Sequence, residues 1–346
     1  MRMQSYLRWL SEGLFHTMEN NKKIIPWYIL NILQENTDEE HPVSEPAIRD
    51  LCERKHGVTF ERRTLYSSVS MLKDLGYDIE YTNTGSSQGY YLADKSRTFT
   101  EPEVLLLCNA VHASHFISES QSKALMKKLL SSQNKYFRKS FKDSVYLPNP
   151  LKTANNQLLQ NIRIISEAIR TKHVIHFHYL AYGFDGRQHP KDKEYTVEPR
   201  YIVYHGSRGY MLVTQTTHEG LIKYRLDRMA DVTIGEETVT ELSEEDNTDA
   251  YALSRNEMFM FSGTPVKATL HCQDRILDTM LDTFGPSAHI LRHEDGFFDL
   301  SITSPAQNIL LFAQQYMDVI TITEPADLKK QMQDMLKETL ERYLGS

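Results

Sequence analysis

The chain has 346 residues, 40% of them hydrophobic and 25% charged, with a formal net charge of −7. That length exceeds the needs of one ordinary core and predicts two or three domains. No apolar run approaches the roughly 18 residues that cross a bilayer, and Arg8, Glu12 and His16 interrupt the N-terminal apolar residues where a secretory leader needs a continuous stretch. A cytoplasmic protein with no membrane partner is expected.

Cys52, Cys108 and Cys272 are far apart and form no CxxC pair, which fits buried apolar thiols in a reducing compartment. The negative total hides a segregation. Lys123, Lys127, Lys128, Lys135, Arg138, Lys139 and Lys142 make a basic run with no acidic residue inside it. Glu236, Glu237, Glu241, Glu244, Glu245, Asp246 and Asp249 make an acidic one, read as a solvated linker. An acidic protein can still bind nucleic acid through a local basic surface.

In chain order, residues 6–18 carry a short amphipathic pattern. Ile25, Tyr28, Ile29, Ile32 and Leu33 follow at helical spacing, with Pro26 in the first turn, where its missing N–H costs nothing. Ser44 is a good N-cap for a second helix that buries Ile48, Leu51 and Cys52 and stops at Gly57. A third helix follows Thr59, with Leu65, Val69, Leu72 and Leu75 as its apolar stripe and Gly76 at its end. A strand over 78–82, a polar turn over 83–89 and a return strand over 90–92 predict a hairpin. Three helices and a hairpin in this order make a winged helix-turn-helix.

Thr100 and Glu103 have capping-box spacing, and the chain reads as helical to about Phe141, carrying the basic run. Pro148 and Pro150 break it, and the polar Asn155, Asn156 and Gln157 mark a domain boundary. After a helix over 158–170, β-branched and aromatic residues predict strands over 174–179, 195–203, 210–216, 222–225 and 229–234, a small barrel or strongly bent sheet. From Val266 the pattern is strand to Cys272, helix to Phe284, strands over 288–292 and 297–303, helix over 305–317, strand over 319–323 and helix over 325–344. This βαββαβ order is that of a ferredoxin-like unit with an extra helix. The expected class is therefore α+β and multidomain, with boundaries at 1–95, 96–156, 157–242, 243–262 (the acidic linker) and 263–346.

The stripe of the third helix leaves Arg62, Arg63, Tyr66, Ser67, Ser70 and Lys73 facing outward. Arginine reaches guanine edges or phosphates, and hydroxyls reach phosphates or bases, so such a helix suits the DNA major groove. With Thr64 of its first turn and Ser87 and Gln88 of the hairpin, these are the candidate DNA contacts. The stretch also resembles the recognition helix of bacterial winged helix-turn-helix regulators, which carry Arg-Thr-(Ile/Val)-Tyr-Arg-Asp ahead of Gly-Tyr-(Asp/Glu)-Ile. Here Arg63-Thr64-Leu65-Tyr66 and Gly76-Tyr77-Asp78-Ile79 match, and Ser67-Ser68 replaces Arg-Asp.

Residues 198–234 resemble a WYL domain. Pro199, the turn over 206–209 and Tyr224-Arg225-Leu226-Asp227-Arg228-Met229 follow its pattern, and Tyr210-Met211-Leu212 stands where Trp-Tyr-Leu is usual. A winged helix-turn-helix, a helical connector, a WYL domain and an α+β extension together resemble the WYL-domain transcriptional regulators. That resemblance implies an Sm/SH3-like β-barrel for the WYL domain, a nucleotide or nucleic-acid effector, a homodimer, an inverted-repeat duplex operator, and a role in DNA-damage or phage-defence control, as a repressor. It points to Tyr179, Arg200, His205, Tyr210, Arg225 and Arg228 as ligand-facing, since guanidinium forks bind phosphate and aromatic faces stack on bases. Strand alternation would put Arg225 and Asp227 on one face and Leu226 and Arg228 on the other, so one arginine is open to pairing with Asp227 instead.

His176 and His178 would share a face of an extended strand with His173 nearby, but no Asp, Glu or Cys accompanies them, and no metal site is expected. There is no GxxxxGK[ST], GxGxxG after a strand, GxSxG or HExxH. No catalytic residue and no resident cofactor are expected. The rival reading is an accessory protein that binds single-stranded nucleic acid without a dedicated operator.

Overall fold

The structure, a computed structural model, describes residues 22–84, 87–144, 151–205, 208–215, 218–241, 265–285 and 288–345. The 6–18 pattern and the acidic linker lie outside the described residues, as do the side chains of Ser87 and His205. The chain divides into two compact units, Met1–Thr153 and Ala154–Ser346.

The first unit opens with α1 (Ile25–Asn36), α2 (Glu45–His56) and α3 (Arg62–Asp74). Ser44 is the N-cap of α2, and Gly57 ends that helix in the left-handed region at φ 66°. The core is Ile25, Ile29, Ile32 and Leu33 of α1 against Ile48 and Cys52 of α2 and Leu65, Val69 and Leu72 of α3. Leu75 does not join the stripe, because α3 ends at Asp74 and Leu75, its C-cap, is 68% exposed. The buried set is Leu65, Ser68, Val69 and Leu72, the i, i+3, i+4, i+7 series; ten residues on from Leu65 the helical rotation has left that face.

Strands β1 (Ile79–Thr84) and β2 (Ser87–Leu92) pair antiparallel from Ile79↔Leu92 to Thr84↔Ser87. The hairpin is longer than its polar composition predicts, and Gln88 sits in a strand opposite Asn83. Val43, just before α2, adds a bridge to Tyr90. A Cβ on Gly89 would lie 2.4 Å from the Val43 carbonyl carbon, so only glycine admits this approach. The end of α1 is tied to the same strand. Thr37 Oγ1 donates to the Leu33 carbonyl at 2.6 Å and accepts the Leu92 N–H at 3.1 Å. The buried Arg97 guanidinium donates to the Gln34 and Thr37 carbonyls, both at 2.6 Å, capping the helix C-terminus.

Helices α4 (Glu101–Ala113), α5 (Glu119–Ser131) and α6 (Lys135–Ser144) complete the unit. Thr100 and Glu103 form the capping box of α4. Asn134 starts α6 by accepting the Tyr136 and Phe137 N–H groups at 2.8 and 2.9 Å. Part of the basic run turns inward here: Arg138 lies 3.6 Å from Glu35 of α1, and Lys135 Nζ donates to Asn36 Oδ1 at 3.3 Å.

In the second unit, α7 (Leu158–Thr171) lies on a five-stranded antiparallel sheet of order β6-β5-β4-β3-β7. Its strands are β3 (His173–Tyr182), β4 (Gln188–His205), β5 (Arg208–Gln215), β6 (His218–Arg225) and β7 (Met229–Thr238). The long β4 pairs with β3 through Val197 and with β5 from Glu198. Pro199 stands at the irregularity where partners change, a place that tolerates its missing N–H. The expected closed barrel is not formed: among the described residues β6 and β7 share no ladder, and each is a sheet edge.

The rest of the unit is β8 (Pro265–Gln273), α8 (Leu277–Phe284), β9 (His289–Glu294), β10 (Phe297–Pro305), α9 (Ala306–Gln315), β11 (Ile320–Glu324) and α10 (Ala326–Leu344). Its sheet order is β11-β8-β10-β9, all antiparallel. Leu270, Leu300, Ile302 and Ile322 meet Met280, Phe284, Ile309 and Phe312 in its core.

Replacing Gly89 by alanine should destabilise the first unit by about 1–3 kcal/mol, because the new methyl overpacks against backbone. Denaturant unfolding followed by fluorescence would show it; an unchanged midpoint would mean that the Val43–Tyr90 bridge does not constrain the hairpin.

Candidate nucleic-acid interface and ligand-sensing site

Packing of α3 through Leu65, Ser68, Val69 and Leu72 leaves Arg62, Arg63, Tyr66, Ser67, Ser70 and Lys73 exposed and Thr64 half-buried. The Arg62 guanidinium lies 5.2 Å over the Tyr66 ring, and its Nε donates to the Tyr66 hydroxyl. These two residues, one turn apart, are thus pre-arranged as a pair. Ser67 Oγ donates back to the Thr64 carbonyl at 3.1 Å. On the hairpin, Gln88 Nε2 donates to the Tyr81 hydroxyl at 2.7 Å.

The second site forms where β6 ends. Arg225 is the last strand residue, and Leu226–Arg228 make one 3₁₀ turn before β7. Strand alternation therefore does not apply there. Arg225, still extended at φ −70° and ψ 128°, precedes the turn, and Arg228 closes it. Both charges act on the Tyr179 hydroxyl: burial pushes its pKa up, and the two arginines oppose that rise. The Arg225 N–H also donates to that hydroxyl at 3.4 Å. Tyr210 is directly opposite Arg225 in the β5–β6 ladder. The structure thus brings Tyr179, Tyr210, Arg225 and Arg228 together. Phe177, Tyr195 and Tyr224 pack beside Tyr179, with ring centroids 5.4 to 6.4 Å from it.

Asp227 holds this turn. Arg225 Nε and Nη2 donate to its two carboxylate oxygens at 2.9 and 2.6 Å, a bidentate pair in which the side chains are 16% and 1% exposed. Asn155 Nδ2 donates to the Asp227 carbonyl at 3.1 Å and to the Met229 carbonyl at 2.8 Å, and Asn161 Nδ2 reaches the Met229 carbonyl at 2.8 Å. Asp231 has a left-handed φ of 55°, and its N–H donates to Gln157 Oε1 at 3.0 Å. Sequence reasoning took Asn155 and Gln157 for spacer residues at a boundary. The available signal was two asparagines flanking the start of an apolar helix, but asparagine is equally common in linkers.

Arg200 stands apart from these residues. It donates to Thr214 Oγ1 at 2.9 Å, to Glu198 at 2.5 Å and to Thr240 at 3.3 Å, and its side chain is 7% exposed. Burial pushes the Glu198 carboxyl up, but hydrogen bonds from Thr240 and Thr214 and the Arg200 charge hold it below its ordinary value. Arg200 therefore braces the junction of β4 and β5. Lys223, on β6, was not singled out from sequence; burial pushes its amine down from 10.5 to about 8.

Two outcomes follow for stability. Asp227→Ala leaves the Arg225 guanidinium buried without its carboxylate and should cost about 3–5 kcal/mol; a loss below about 1 kcal/mol in denaturant titration would show that the pair does not hold the turn. Lys223 binds its proton less tightly folded than unfolded, so stability is reduced below about pH 8 and rises as pH climbs from there toward 10.5. That rise should flatten in Lys223→Met, read from unfolding midpoints at stepped pH.

Residues 160–234 match the model of the WYL domain family. No curated protein matches the chain. Among solved structures, proteasome accessory factor B/C of Arthrobacter aurescens is similar over 85% of this chain and 46% of that one, at 18% identity and a TM-score of 0.27. A CRISPR Cas-related protein is similar over 84% of this chain and 76% of that one, at 14% identity and a TM-score of 0.39. The chain spans about half the length of the first. No described helix is long and apolar enough to cross a membrane. The turn carrying Arg225, Asp227 and Arg228 falls inside the matched span, and residues 160–234 of this chain are a WYL domain.

Proposed function

We propose that this protein is a cytoplasmic, homodimeric transcriptional regulator, a repressor, whose winged helix-turn-helix head binds an inverted-repeat duplex operator and whose WYL domain senses a nucleotide or nucleic-acid effector. The observation that carries the reading is the exposed α3 face. Two arginines, a tyrosine, two serines and a lysine project from a helix locked by its opposite side into a three-helix core, beside a two-stranded hairpin. A rigid helix with that surface offers charged forks and hydroxyls in a fixed array, which is what reading base edges and phosphates in a major groove requires. In the second unit, Arg228, Tyr179 and Tyr210 supply cation and ring surface for a phosphorylated, base-bearing effector. Effector binding regulates only if it prefers one of two arrangements of the chain. Nothing in this reading assigns catalysis, a metal or a resident cofactor. DNA-damage or phage-defence control is the setting we assign to it.

The division of labour is testable by competition binding to the duplex upstream of the protein's own gene, at near-physiological salt. Arg63→Ala should weaken specific binding by about tenfold or more, the worth of one good base or phosphate contact. Arg228→Ala should leave operator affinity intact and abolish its response to effector; it is a cleaner probe than Arg225, which is committed to Asp227. Tight binding to single strands with no duplex preference would overturn the regulator reading in favour of an accessory single-strand-binding protein.

A further inference from the structure

Helix α10 carries more apolar surface than its own domain covers. Leu328 and Met332 are buried in the core beneath it. Leu336, by contrast, is 40% exposed, Leu340 59%, Leu344 72% and Tyr343 87%. At the helical rotation per residue these four share an arc of about 100°, beside the buried side rather than opposite it. A continuous row of large exposed apolar groups marks a protein-contact face.

The same helix offers a hole to match. A cavity of about 150 Å³ opens between α10, Met317 just beyond α9, and the edge strand β11; Lys329, Met332 and Leu336 line its α10 side. That is several times the roughly 30 Å³ share of one water. Its lining suits an aromatic ring, since methionine sulfurs pack at ring edges and an ammonium binds a ring face.

Knob and hole are spaced as a two-fold axis requires. Tyr343 and Lys329 stand seven residues to either side of Leu336, about 10 Å along the helix in each direction. With two α10 helices antiparallel and Leu336 against its own copy, Tyr343 of each lies level with Lys329 of the other, at the hole. The charges agree with that register. Lys330 comes level with Glu341 of the second copy, and Asp334 with Lys337, each pair centred within half a residue of Leu336. All four lie on the flank of the stripe turned away from the core. A parallel pairing would instead set each charge beside its own like and leave the hole empty. We propose that α10 is the interface between two copies of this chain, packed antiparallel about Leu336, with Tyr343 of each inserted beside Lys329 of the other. Such a contact is isologous and closes at two copies. The inference rests on the homodimer reading above and gives that dimer its contact face.

Sedimentation equilibrium of the full chain over a dilution series tests it. The unaltered chain should show a monomer–dimer equilibrium. Tyr343→Ala should weaken association by about a hundredfold or more, because a buried tyrosine anchor is lost twice per dimer. The far-UV circular dichroism should stay unchanged, since this side chain is exposed in the single chain. Lys337→Glu sets like charges opposite Asp334 and should weaken the dimer by about tenfold; adding Asp334→Lys to it should restore the affinity. A dimer that survives Tyr343→Ala, or whose affinity does not follow the charge reversal and its rescue, overturns this interface and leaves the homodimer reading in place. An unaltered chain that stays monomeric at about 50 µM overturns both.

Discussion

The second unit's candidate site depends on one buried carboxylate. Asp227 lies in the turn between two edge strands, 1% exposed, where an ionised group is tolerated only when paired and hydrogen-bonded. The bidentate Arg225 pair neutralises its charge and occupies both oxygens, and Asn155 and Asn161 then fix the backbone on either side. Because the charge is satisfied locally, Arg225 is spent on architecture, while the half-buried Arg228 lies over the Tyr182 ring. The division between a holding arginine and an acting one is thus a consequence of desolvation, not of position along a strand.

The first unit solves a different problem, how to fix a hairpin beside a helix with little core between them. Ile79 and Leu92 at the base of the hairpin are buried in the three-helix core, whereas Glu80, Tyr81, Asn83 and Gln88 are exposed, so hydrophobic burial holds the base of the hairpin more than its outer part. Backbone ties add to that burial: the Val43–Tyr90 bridge, admitted by the missing side chain at Gly89, and Thr37, which joins the end of α1 to Leu92. Arg97, arriving from beyond the hairpin, caps the same helix end. Orientation of the α3 face relative to the hairpin therefore rests on a shared core, where Leu65, Val69 and Leu72 join Ile79 and Leu92, and on hydrogen bonds made at one corner.

Much of this architecture is legible in the sequence because local rules agree there. Ser44, Gly57, Thr100 and Glu103 mark helix ends, and the alternation of β-branched residues after α7 marks strands near where they occur. Legibility fails where a local rule is overridden by something distant. Leu75 reads as core by composition, but α3 stops one residue earlier. The polar stretch after Thr82 reads as turn, yet it is held extended by cross-strand pairing. Arg200 reads like Arg225 and Arg228, and only the fold reveals that Glu198, Thr214 and Thr240 surround it. A closed barrel follows from strand count and family likeness, whereas closure depends on whether β6 and β7 meet, which no local pattern records.

The single 3₁₀ turn over Leu226–Arg228 acts as a ruler. With three residues per turn, one inserted or deleted residue rotates Arg228 by about a third of a revolution relative to Arg225. Lineages descending from this chain are therefore free to drift at many surface positions around the site, but a length change inside this tripeptide would separate the two guanidinium groups at a stroke. The segment should evolve by substitution and never by indel for as long as the site is under selection.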